Sequence, residues 1–202
     1  MIYMKNITKS YERDLILDKL SFTLNKAEFV YLVGKSGAGK STFLSILAGD
    51  MQADEGEVIS ETSQVFLLKQ SSSLDENLTI YENALYYFLS RGETKKRVKN
   101  KLDKIFQELD IFHLKERFPH QLSGGELARA SLAQALAYSP EVLLLDEVTA
   151  GLAPFQSENI VRLLESEREK GMAILFSTHD QELIQKHPQK VLELKGGKLY
   201  EI

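Results

Sequence analysis

Apolar and polar positions along this chain change period several times, and each change marks an element. Residues 2–8 and 15–24 alternate like half-buried strands, with Tyr11-Glu-Arg-Asp14 as the turn between them, so the chain opens on a small antiparallel layer. Glu28-Phe-Val-Tyr-Leu-Val33 is a short run of β-branched and aromatic residues and reads as a buried strand. Residues 40–48 read as a helix stopped at Gly49-Asp50, and residues 56–60 and 64–68 as two further strands around the turn Asp54-Glu-Gly56. A helical stretch spans 79–118. Thr79 and Glu82 form a capping box, and Leu85, Tyr86, Phe88 and Leu89 carry the first helix to Arg91-Gly92. Val98, Leu102, Ile105, Phe106 and Leu109 then recur at helical spacing over 95–110, under a basic outer face that includes Lys95, Lys96, Arg97, Lys99 and Lys101. Ser123 and Glu126 form a second capping box ahead of a small-residue helix over 128–137. Val142-Leu-Leu-Leu-Asp146 and residues 172–177 are unbroken apolar runs of the kind buried on both faces in a parallel sheet. An amphipathic helix over 154–170 separates them, and residues 190–194 and 198–202 close the chain as a hairpin around Gly196-Gly197.

One segment turns this pattern into chemistry. Residues 34–42, Gly34-Lys35-Ser36-Gly37-Ala38-Gly39-Lys40-Ser41-Thr42, satisfy Gly-x4-Gly-Lys-Ser, with a strand before and a helix after. Glycines let backbone N–H groups turn inward around phosphate oxygens, and the helix N-terminus adds about half a positive charge. Lys40 is placed to reach β- and γ-phosphates, and the Ser41 hydroxyl to ligate Mg²⁺. Three strand ends supply further candidates, because ligands of such sheets sit at the carboxyl ends of strands. Asp146 and Glu147 are adjacent carboxylates that need a cation or a task; Asp146 suits Mg²⁺ and Glu147 suits orienting an attacking water. His179 ends another strand, where an imidazole reaches a γ-phosphate or serves structure alone. Gln70 is either a nucleotide contact or a solvated loop amide, and Tyr11 either stacks on an adenine ring or braces its hairpin. The glycines of Ser123-Gly-Gly-Glu126 are poor helix formers, and they leave N–H groups open to a second anion.

Composition narrows the class. The 202 residues suffice for one α/β core with a small subdomain. Apolar residues at 43% and charged residues at 27% are the balance of a folded chain. A net charge of −4 gives no bulk electrostatic case for nucleic acid or anionic membrane. The absence of cysteine removes disulfides and thiolate metal sites. No apolar run approaches the ~20 residues of a membrane span, and the N-terminus lacks a signal-peptide layout. Work at a membrane therefore calls for a separate partner.

Taken in order, these motifs resemble the nucleotide-binding subunit of an ATP-binding-cassette (ABC) ATPase, and the resemblance covers essentially the whole chain. It rests on a Walker A loop at 34–42, a Q-loop at Gln70, the signature Leu122-Ser123-Gly124-Gly125-Glu126, a Walker B strand at 142–146, Glu147 and a switch histidine at His179. The 77–83 and 119–122 stretches are similar to small cassettes of the lipoprotein-release, macrolide-export and cell-division type. The resemblance implies an α/β P-loop core with a mostly parallel sheet, an antiparallel β layer and an inserted helical subdomain. Residues 1–202 would form one ATPase domain, with core segments 1–70 and 139–202 and a helical segment 71–138. It implies ATP and Mg²⁺ (Ser41, Gln70, Asp146) as cofactors and Tyr11 as the adenine-stacking aromatic. It also implies a head-to-tail homodimer or heterodimer, in which Ser123 and Gly125 of one copy cap the γ-phosphate held by Lys40 of the other. An integral membrane subunit would dock near Gln70 and 71–118, placing the chain at the cytoplasmic face of the membrane. A non-transporting regulatory cassette and a soluble ABC ATPase are the competing readings. The chain departs from the family pattern at Glu126 and through Val148-Thr149-Ala150-Gly151-Leu152-Ala153, where the family commonly reads Pro-Thr-Ser-Ala-Leu-Asp. Glu126 stands where Gln is usual, and Ala153 stands where the D-loop carries Asp.

Overall fold

The computed structural model describes residues 1–12, 14–69, 74–89 and 95–202. Gln70, the polar run through Ser73 and Arg91-Gly92 lie outside the described residues, as do the side chains of Phe88, Leu89, Lys95, Lys96 and Arg97. Strands β1 (Ile2–Tyr11) and β2 (Asp14–Leu24) pair antiparallel, and β4 (Glu55–Ser60) joins the other side of β1, giving the sheet order β2-β1-β4. Tyr11 is the last residue of β1, paired with Asp14, so the strand runs further than its alternation predicts.

A six-stranded sheet forms the centre of the molecule. Its order is β5-β6-β7-β3-β8-β9, from β5 (Val65–Leu68), β6 (Val142–Asp146), β7 (Ala173–Ser177), β3 (Phe29–Val33), β8 (Lys190–Lys195) and β9 (Lys198–Glu201). Every pair is parallel except the closing β8–β9 hairpin. The middle strands β6, β7 and β3 are buried at every residue, because both faces of the sheet are covered. Their alternation feeds two separate cores. Phe29, Tyr31, Leu143, Leu145, Ile174 and Phe176 pack against helices α2 (Ile80–Leu89), α3 (Lys95–Glu108), α4 (Gly124–Tyr138) and α5 (Pro154–Glu169). Val30, Leu32, Leu144 and Leu175 face the other way, toward α1 (Lys40–Ala48) and the antiparallel sheet. Helix α1 is thereby enclosed between the two sheets, and Phe43 meets Phe22 edge-to-face at 5.4 Å.

The helical segment is built as its periodicity predicts. Val98, Leu102, Ile105, Phe106 and Leu109 are all buried. The Thr79 N–H donates to Glu82 Oε2 at 2.9 Å and the Glu82 N–H to Thr79 Oγ1 at 3.1 Å, closing the capping box. The hydroxyl of Tyr81 on α2 donates to Asp103 on α3 at 2.8 Å, tying the two helices together.

Candidate functional site

The loop between β3 and α1 turns through two glycines in the left-handed region, Gly37 at φ 76° and Gly39 at φ 98°. Gly39 also lies against β2: a Cβ there would come within 2.6 Å of Ile16 Cγ2. Only glycine meets both demands. The Lys40 ammonium folds back over the loop, donating to the Gly34 carbonyl at 3.0 Å, and lies 3.3 Å from Glu147 Oε1. Its side chain is 7% exposed, so an ammonium withdrawn from water is held by carbonyls and one carboxylate, and phosphate oxygens suit that arrangement equally well.

Asp146 ends β6 beside Ser177 of β7 and is buried. It shares the parity of Val142 and Leu144, so it faces the α1 side, where Ser41 lies in the first turn of the helix. The next residue, Glu147, adopts φ 52°, uncommon for a residue with a Cβ and costing about 1 kcal/mol. The Glu147 N–H donates to the Ser177 carbonyl at 3.0 Å and its own carbonyl accepts from the Ala150 N–H at 3.0 Å. These bonds hold the reversal and turn the carboxylate back toward Lys40. His179 is 70% exposed, with Nδ1 4.0 Å from Glu147 Oε2.

Tyr11, Ser36, Gly37, Gly39, Lys40, Ser41, Thr42, Asp146 and Glu147 thus line one cleft of about 400 Å³, completed by Ile16. Gly34, Lys35 and Ala38 complete the loop beneath it, where the Ala38 N–H donates to the Lys35 carbonyl at 3.1 Å. Tyr11 is half exposed at its rim, its hydroxyl against Met51 Sδ at 3.2 Å. The end of β1 that carries it is fixed by Asp54, which accepts from Lys9 Nζ and from the Ser10 N–H, both at 2.7 Å. Those bonds, the Lys9 one foremost, hold the Asp54 carboxyl below its ordinary range. Sequence reasoning missed Ile16, Met51 and Asp54; only Ile16 carried a signal, as an apolar position in the alternation of β2.

The signature residues do not line this cleft. Ser123 caps α4, which begins at Gly124, so both glycines lie in its first turn. Gly124 lines a second groove that also touches Glu147, together with Leu68, Lys69, Leu127 and Val148. His179 lines a third, with Glu147, Thr149, Gly151 and Leu152. Glu147 therefore borders all three. Hard oxygen donors at Ser41 and Asp146 fit a Mg²⁺ ion that arrives with phosphates and keeps its waters. Among the described residues no cluster of three or more His, Cys, Asp or Glu forms a metal cage of its own.

A glycine loop feeding a helix, on a parallel sheet in which β6, one strand removed from β3 across β7, ends in Asp146 with Glu147 next, defines a P-loop nucleotide-binding cassette. The chain belongs to the ABC transporter family, whose model matches residues 17–150. It is 33% identical to the Fe(3+) ions import ATP-binding protein FbpC 2 of Haemophilus influenzae over all of its own length, spanning 61% of that protein. It is 32% identical to the lipoprotein-releasing system ATP-binding protein LolD of Treponema denticola (91% of this chain, 90% of the relative). It is 29% identical to the cell division ATP-binding protein FtsE of Bacillus subtilis (98% and 93%). The dimeric structure of the bacterial ABC transporter cassette MJ0796 superposes with a TM-score of 0.90 at 26% identity, covering 100% of this chain and 98% of that one. Among the described residues no helix is long and apolar enough to cross a membrane.

Proposed function

We propose that this chain binds and hydrolyses MgATP as one half of a cassette dimer that drives a separate membrane subunit from the cytoplasmic face. The observation that carries the reading is the convergence of Lys40, Asp146 and Glu147 on one glycine-floored cleft. Lys40 and the loop N–H groups hold the β- and γ-phosphates, and Tyr11 stacks on the base. Ser41 and Asp146, with Gln70 as a further donor, would hold Mg²⁺, which would offset phosphate charge. Glu147 leaves its pairing with Lys40 as phosphate arrives and orients water for in-line attack, while His179 steadies the γ-phosphate. Leu122, Ser123, Gly124, Gly125 and Glu126 act in trans, on nucleotide held by the partner copy; their placement outside the cleft of their own chain supports this division. The described part of the helical segment 71–138 presents Tyr86 at 67% exposure on α2, an aromatic suited to a docking surface for the membrane subunit.

Similarity to FtsE along nearly the whole chain favours one second reading, a regulatory cassette that moves a membrane complex without transporting a solute. Both readings share the site. Glu147→Gln is expected to bind ATP with little change and to lose turnover by at least about a hundredfold. Parental turnover in that variant would remove Glu147 from its role.

A further inference from the structure

Ser123 does not present a free hydroxyl. Its Oγ donates to Glu126 Oε2 at 2.7 Å, its N–H donates to the same oxygen at 2.8 Å, and the Glu126 N–H returns a long bond of 3.4 Å to Oγ. A serine hydroxyl has one proton, and here a carboxylate holds it. Those two bonds keep the Glu126 carboxyl below its ordinary range, with smaller help from Arg129 and His113, so the residue stays ionised across the neutral range. A γ-phosphate arriving at α4 therefore meets an occupied donor and an added negative charge.

We infer that Glu126 is a positioning residue that restrains the Ser123 hydroxyl, so that cassette closure on ATP must first break a charge-assisted hydrogen bond. The inference rests on the trans role proposed above for Ser123 and adds a restraint on it. Charge-assisted bonds are roughly twice as strong as neutral ones, and an amide at position 126 would hold the hydroxyl less firmly while removing the charge. Glutamine also preserves the capping box, so α4 keeps its start.

The test measures ATP-dependent association by light scattering in the Glu147→Gln background, comparing Glu126 with Glu126→Gln. The amide is expected to lower the half-maximal ATP concentration about three- to tenfold, the scale of one weakened charge-assisted bond. Adding Ser123→Ala to both chains should erase most of that gain, because the hydroxyl being released is gone. Association that needs as much ATP or more after Glu126→Gln overturns the restraint while leaving the dimer reading intact. No association in any of the four chains overturns both.

Discussion

Gly37 and Gly39 have the same kind of backbone but different surroundings. A Cβ on Gly37 would meet nothing within 4 Å, whereas one on Gly39 would strike Ile16. Gly37→Ala is therefore expected to cost about 1–2 kcal/mol of left-handed strain and to keep a loop that still binds ATP. Gly39→Ala adds a steric clash at the N-terminus of α1 and should bind ATP far more weakly. Equal affinities in a fluorescent-nucleotide titration would show that Ile16 does not shape the loop. The glycine pattern was legible in the sequence, but the reason for Gly39 was not, since Ile16 lies more than twenty positions away. The Lys40–Glu147 contact is hidden in the same way, joining residues far apart in the chain.

Elements were legible where a local signal existed. Both capping boxes, the buried stripe of α3 and the three middle strands follow from spacing alone. Helix α6 (Gln181–Lys186) went unread, although Asp180 caps it by accepting from the Leu183 N–H at 2.9 Å; six residues are too few to show a helical period. The strand order was also out of reach, because crossover packing decides which parallel strands become neighbours. Contacts between elements carry two predictions. Phe43→Ala would leave a void between the two sheets and should destabilise by about 3–5 kcal/mol in urea unfolding. Tyr81→Phe should cost about 1 kcal/mol by removing the tie from α2 to α3. Burial, and then the bond to Asp103, raises the Tyr81 hydroxyl above its ordinary value of 10.0. A raised value means the tie contributes fully below pH 10.0 and is lost as pH rises through the folded value. The gap between parent and variant should accordingly close in alkali.

At the scale of the whole molecule, Ala153 is the departure with the widest reach. It occupies the N-cap of α5, where its N–H donates to Gln156 Oε1 at 3.3 Å, but it has no side-chain oxygen to offer in return. Ala153→Asp should add about 1 kcal/mol through the cap alone. If the missing carboxylate also weakens coupling between two copies, the same variant will raise the cooperativity of ATP turnover; a gain in stability with unchanged cooperativity would confine Ala153 to its own helix. Turnover as proposed requires two copies to close over nucleotide, each completing the other's pocket. The most direct measurement is the mass in solution of Glu147→Gln with and without MgATP. One chain is expected without nucleotide and two with it. A single chain under both conditions, with ATP demonstrably bound, would contradict that closure.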